Sequence, residues 1–185
     1  DKNLISKKID YNNIKLLYLG TVGLSHEFEK IFKCLHNFNN FELNIVGDGL
    51  QKNKINKNIN KNINFFDQTF ELKNLYNFYK ISDFVLILLK DLNVFKTVIP
   101  SKIFEYAYLN KIIIYLGPKN EASYLISKYN IGFCAHNIEE LTNIFKYISD
   151  VNINITDYHK NFEKFNKEFS TFDISQNYIN EILSK

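Results

Sequence analysis

Short runs of aliphatic and β-branched residues alternate along this chain with longer segments of helical periodicity, and that alternation restricts the fold more than any other feature. IKLLYLG (14–20), FELNIVG (41–47), NINFF (62–66), FVLILL (84–89), KIIIYL (111–116) and IGFCA (131–135) read as strands. Between them, Phe28, Ile31, Phe32 and Leu35 recur at helical spacing, and LKNLYNFYKI (72–81) puts Leu72, Leu75, Tyr76 and Tyr79 on one helix face. Further helices are expected from Pro100, over 121–129 and over 138–148. FVLILL shows no polar alternation, so both faces of that strand must be covered. Strands separated by helices pair in parallel through crossovers, which predicts an α/β fold with a doubly wound parallel sheet, Rossmann-like, and helices on both sides.

After about residue 150 the strands stop. Tyr158, Phe162, Phe165 and Phe169 recur at offsets of four, three and four, an aromatic stripe on a helix. It serves either as core packing or as a docking surface, and a final helix is expected over 174–184. The chain contains no methionine and begins with Asp1, which reads as a segment of a larger protein. The expected organisation is a linker from an N-terminal domain over 1–13, a ligand-binding domain over 14–150, and C-terminal helices over 151–185.

Composition removes several classes of function. At 185 residues, 45% hydrophobic and 23% charged, the chain fits one globular domain. FVLILL is too short to span a bilayer, and the polar opening DKNLISKKIDYNNIK is no signal peptide. A net charge of +3 is too slight to argue for nucleic acid. Cys34 and Cys134 lie far apart with no CxxC, so neither a disulfide framework nor a zinc site is signalled, and a reducing cytosol is the default. The tract QKNKINKNINKNIN (51–64) is low in complexity and is given no functional role.

In an open parallel sheet, ligands bind beyond the C-terminal ends of the strands. At the first such end, LGTVGLS (19–25) sets Gly20 and Gly23 before a helix, where backbone can approach a ligand and free N–H groups can hold phosphate. A plain strand-to-helix turn would look the same. A dinucleotide fingerprint is missing, because the spacing is GxxG and Asp48 is too distant. VGDG (46–49), with Gly47, closes the second strand at the same edge and reads as a tight turn when taken alone.

The third candidate is FKTVIPSKIFEY (95–106), which follows the strand FVLILL. Pro100 suits a first helical position. Lys102 then stands in the first turn, where the helix disfavours a cation by roughly 0.3–1 kcal/mol. At 100° per residue, Ser101, Lys102 and Glu105 fall within about 100° of one another, while Ile103 and Ala107 face the core. An anion would be held there by backbone N–H groups, the Ser101 hydroxyl and Lys102, with Glu105 accepting from sugar hydroxyls. The alternative is an exposed i,i+3 Lys102–Glu105 pair worth a few tenths of a kcal/mol. His26, His36, His136 and His159 show no ligand spacing, and neither a nucleophile elbow nor a Walker loop is present. His26 follows the first glycine loop, where it either reaches a substrate or is an exposed helix-start residue. Ser123 begins a helix at a strand end, and capping explains it equally well.

The ordered set YLGTVG, FELNIVGDG, NINFFDQ, FKTVIPSKIFEYAYLNKIII and NIGFCAHNIEEL resembles the C-terminal, donor-binding half of GT-B glycosyltransferases in the large retaining family 4, especially the branch that builds bacterial surface polysaccharides. The resemblance covers about residues 14–149. It implies one half of a GT-B fold and a hexosyltransferase-type enzyme holding a nucleotide-sugar donor, usually a UDP-sugar. Gly20 and Gly23 would approach the diphosphate or donor sugar, Gly47 would lie on the same donor side, and Ser101 and Lys102 would bind diphosphate. Glu105 matches the second glutamate of the family's E-x7-E motif, which commonly binds the ribose, and Phe66 and Asp67 would lie near the base. Lys102 and Glu105 are thereby the implied catalytic residues. Thr97 stands where the first glutamate belongs, preceded by Lys96, and the family's basic pair after the glycine loop is not evident in LSHEFEK.

No metal or other cofactor is implied, because basic side chains and helix dipoles stabilise the leaving diphosphate. A glycan or lipid-linked acceptor would bind through an N-terminal domain, no nucleic acid is involved, and the full enzyme would be cytoplasmic, with room for peripheral association at the inner face of the membrane. The rival from another class is a non-catalytic α/β nucleotide-binding or interaction module, such as one chain of a split enzyme. A GT-B-fold nucleotide-sugar epimerase is a second enzymatic alternative.

Overall fold

The structure, a computed structural model, describes residues 8–52, 61–68 and 71–169. The helix expected over 174–184 and the middle of the 51–64 tract lie outside these residues.

Six strands form one sheet: β1 (Ile14–Leu19), β2 (Phe41–Val46), β3 (Ile63–Phe66), β4 (Phe84–Leu88), β5 (Ile112–Leu116) and β6 (Gly132–Ala135). Their order is β3-β2-β1-β4-β5-β6, and every neighbouring pair is parallel. The chain builds outward from β1 to β3, returns to lay β4 beside β1, and builds outward again to β6. The register sets Ile14 against Phe41 and Phe84 against Ile112. All five residues of β4 and of β5 are buried, as expected where helices cover both faces.

Among the described residues, six helices supply that cover: α1 (Phe28–Leu35), α2 (Leu72–Ile81), α3 (Lys102–Tyr108), α4 (Glu121–Lys128), α5 (Ile138–Asp150) and α6 (His159–Phe169). α1 buries Phe28, Ile31, Cys34 and Leu35. In α2 the inward face differs from the expected one. Tyr79 is buried and Leu75 and Phe78 are half-buried, but Tyr76 is 40% exposed. Phe78 is drawn inward by the Phe66 ring, 4.9 Å away. α3 and α4 stop where Asn110 and Asn130 turn left-handed, at φ 53° and 49°. The Lys111 N–H then reaches Tyr106 O and the Ile131 N–H reaches Ile126 O, as at a Schellman C-cap.

The aromatic stripe packs inward. Phe162 and Phe165 are buried, and the Phe165 and Phe169 rings lie against Phe104 and Tyr129. Residues 8–13 are also fixed to this sheet: Ile9 joins the core, the Tyr11 hydroxyl donates to Ile153 O, and the Asn40 amide donates to Tyr11 O.

Candidate functional site

The strand order reverses between β1 and β4, so the crevice at this switch point lies between the loops that follow those two strands. After β1, Gly20 has φ +147°, a conformation that side chains rarely adopt, and its N–H donates to Val46 O. The loop then lies against the turn after β2. Val22 N–H donates to Asp48 O, Gln51 N–H donates to Val22 O, and a Cβ at Gly47 would stand 1.9 Å from Gly20 O. Gly47 thus has a packing reason of its own. Gly23 has none, since a Cβ there would meet nothing nearer than 3.6 Å.

His26 closes this loop. Its Nδ1 lies 3.3 Å from both the N and the O of Gly23, and the rings of Tyr18 and Phe28 flank it at 5.7 and 6.1 Å. Burial, joined by the charge of Lys90, lowers the pKa of the imidazole against an opposing contribution from Gly23, which favours the neutral ring.

The loop after β4 is tied down at two points. Lys90 N–H donates to Ser25 O at 2.9 Å, joining it to the β1 loop. The Asn120 amide donates to Phe95 O and Val98 O at 3.0 and 3.1 Å, joining it to the start of α4. Asn120 also accepts from Ser123 N–H while the Ser123 hydroxyl accepts from Asn120 N–H, a reciprocal capping box. Ser123 is therefore the inner half of a cap whose first residue is Asn120.

α3 begins at Lys102, two residues after Pro100. The Ile103 N–H donates to Pro100 O and the Phe104 N–H to Ser101 O, so Pro100 opens a tight 3₁₀ turn that leads into the helix. The Ser101 hydroxyl makes no capping bond and the residue is exposed, as are Lys96 and Thr97. Lys102 Nζ lies 2.7 Å from Glu105 Oε2, and the two side chains are 33% and 41% exposed. The i,i+3 pair is formed, and it is not alone. The buried Tyr79 hydroxyl donates to Glu105 Oε1 at 2.5 Å, so both carboxylate oxygens are engaged. Burial first, then Tyr106 and Glu105 beside it, raise the pKa of Tyr79 far above its ordinary value and keep it a donor.

Phe66 and Asp67 end β3, three strand spacings from β4, or about 14 Å. They do not join the Lys102 cluster. Phe66 packs on Phe78, and Asp67 pairs with Lys52 Nζ at 2.5 Å, with Asp48 a second partner at 3.8 Å. At the far side, His136 Nδ1 meets Gly117 O at 2.9 Å, and Cys134 lies in an environment that pushes its thiol up to about 11, by burial. A cavity of about 400 Å³, lined by Ile9, Tyr11 and Ile153 among others, lies before β1 at the opposite edge of the sheet. No helix among the described residues is long and apolar enough to cross a membrane.

Sequence reasoning did not single out Tyr79 as a polar partner, nor Lys52, Lys90 or Asn120. Tyr79 was readable only as one of a helix's apolar positions. The Asn-x-x-Ser spacing of 120–123 was the one available signal of the cap.

A doubly wound parallel sheet with a glycine loop and a polar cluster at its switch point defines a Rossmann-like α/β domain. No family model matches the sequence, and no curated protein is significantly similar to it. Solved structures share its fold. Anabaena HepE, solved with UDP and glucose, matches with a TM-score of 0.70 at 16% identity, over 94% of this chain and 49% of that one. An S. aureus TarM variant, solved with Fondaparinux, alpha-GlcNAc-glycerol and UDP, matches with a TM-score of 0.70 at 15% identity, over 95% of this chain and 36% of that one. The C-terminal domain of LpcC, a glycosyl transferase group 1 family protein from Francisella tularensis, matches with a TM-score of 0.64 at 10% identity, over 85% of this chain and 86% of that one. The chain spans about half the length of HepE and most of the LpcC domain. It has the Rossmann-like fold of the C-terminal domain of GT-B glycosyltransferases.

Proposed function

We propose that this chain is the nucleotide-sugar-binding domain of a retaining, hexosyltransferase-type glycosyltransferase that uses a UDP-sugar in surface polysaccharide or glycoconjugate synthesis. The observation that carries the reading is the Lys102–Glu105–Tyr79 cluster, set beside the Gly20–Gly23 loop at the switch point of a fold shared with structures solved with UDP. Glu105, held by Tyr79, accepts from the ribose hydroxyls. Lys102 spends one of its three N–H donors on Glu105 and keeps the others for the diphosphate, together with the uncommitted Ser101 hydroxyl.

In the reaction, the bond from the anomeric carbon to the diphosphate oxygen breaks as an acceptor hydroxyl oxygen bonds to that carbon and gives up its proton. Negative charge then grows on the diphosphate, and Lys102, bound to that group, offsets part of it without a metal. α3 is only two turns long, so most of that stabilisation comes from the lysine rather than the helix dipole. The acceptor site and the rest of the catalytic machinery belong to a partner domain, and the full enzyme works in the cytoplasm.

Thermal unfolding with UDP, GDP, CMP and ADP tests the reading. UDP should raise the midpoint, and Lys102→Ala and Glu105→Ala should abolish the rise. No response to any nucleotide overturns the reading in favour of a non-catalytic module. Sugar transfer at full rate by these 185 residues alone would overturn the assignment of catalytic groups to a partner domain.

A further inference from the structure

The cations along the ligand edge are not equally available. Lys102 is shared with Glu105, Lys52 with Asp67 and Asp48, and Lys30 with Glu27. Lys96 and Lys119 are exposed on loops, where an ammonium is well hydrated and contributes little. Lys90 differs from all of these. It is half-buried, makes no ion pair among the described residues, and follows β4 after the single residue Leu89 at the switch point, with its N–H bonded to Ser25 O. Its charge is felt at His26, where it opposes protonation.

His26 presents a complementary group. Nδ1 is turned to Gly23, 3.3 Å from both its N and its O, and Nε2 has no protein partner among the described residues; a bound anion selects the neutral tautomer that carries the proton on Nε2, with Nδ1 accepting from the Gly23 N–H. A half-buried cation and a neutral N–H donor, fixed to the same loop beside an open glycine, make a receptor for one compact anion. Lys102 lies one loop further on and already carries a carboxylate. A diphosphate bears two anionic groups, and one shared lysine leaves the second without a counter-charge.

We infer that Lys90 and His26 bind the distal phosphate of the nucleoside diphosphate, Lys90 Nζ as the cation and His26 Nε2–H as the neutral donor, while Lys102 and Ser101 serve the proximal one. This rests on the nucleotide-sugar reading above. It supplies the basic partner that LSHEFEK itself lacks, from the neighbouring strand rather than from the glycine loop.

Calorimetric titration at pH 7.5 with UMP and UDP separates the two phosphates. The wild type should bind UDP at least about tenfold more tightly than UMP, a difference of roughly 1.4 kcal/mol. Lys90→Met, which keeps the apolar stem, should leave UMP affinity unchanged and remove most of that ratio, and Lys90→Arg should restore it. His26→Phe, which keeps the ring packing, should reduce the ratio in part. If the ratio persists in Lys90→Met while the wild type still prefers UDP, this inference falls and the nucleotide-sugar reading stands. If the wild type binds neither nucleotide, the nucleotide-sugar reading itself falls and takes this one with it.

Discussion

The Tyr79 hydroxyl, buried in the last turn of α2, donates to Glu105 Oε1 on α3, while Lys102 holds the other oxygen of the same carboxylate. A carboxylate gripped on both oxygens cannot swing, so a ribose meets it in a single orientation. Tyr79→Phe removes one bond to a charged acceptor and should cost about 1–2 kcal/mol of folding stability, read by urea denaturation. The variant should lose roughly fivefold in UDP affinity, the equivalent of about 1 kcal/mol. Affinity for 2′-deoxy-UDP should hardly move. Equal losses for both nucleotides would mean that Tyr79 supports only the fold.

Two glycines of the neighbouring loops should respond in opposite ways. A Cβ at Gly47 would collide with the Gly20 carbonyl at 1.9 Å, and neither backbone can yield without breaking the Val22–Asp48 and Gln51–Val22 bonds. Gly47→Ala should therefore cost about 3 kcal/mol or more, at the upper end of overpacking. At Gly23 a methyl meets only ordinary contacts, so Gly23→Ala should fold normally. Its effect should show in UDP binding, because the added methyl occupies the space through which the ligand approaches. Unfolding midpoints and UDP titration of both variants decide the matter.

The sheet was legible because burial on both faces leaves a mark on every residue. FVLILL (84–89) and KIIIYL (111–116) carry no polar alternation, and they became the two strands buried at every position. The cluster was legible only in part. Ser101, Lys102 and Glu105 share one short segment, so helical spacing alone groups them. Tyr79 comes from a different helix, and nothing in LKNLYNFYKI says where its hydroxyl points. Tyr76 and Phe78 exchanged places for a related reason: Phe66, on another strand, decides which ring turns inward. Lys90 is polar at the end of an apolar run and reads as a strand terminus, and its bond to Ser25 appears only once β4 lies beside β1.

Asn120 joins two tasks that one substitution should separate. It caps α4 and also holds Phe95 O and Val98 O of the loop that carries Thr97 and Ser101. Asn120→Ala should cost about 1–2 kcal/mol from the cap alone. Asn120→Ser keeps a capping oxygen but has no amide to reach the loop. It should recover most of the stability, while the 89–101 loop is cut faster by protease than in the wild type.

His26 should make the fold sensitive to acid. Burial and Lys90 depress its folded-state pKa below the ordinary 6.5. In the interval between those two values the unfolded chain binds a proton that the folded chain refuses, so stability falls as the pH falls. Above about 6.5 neither state is protonated, and His26 adds no slope. Urea midpoints at pH 7.5 and 5.5 should therefore differ more for the wild type than for His26→Gln, which cannot charge. Lys90→Met should flatten the profile in part, because it removes one of the two causes of the depression and leaves the burial of the ring. An equal acid loss in all three proteins would show that the ring charges as readily in the folded state as in the unfolded one.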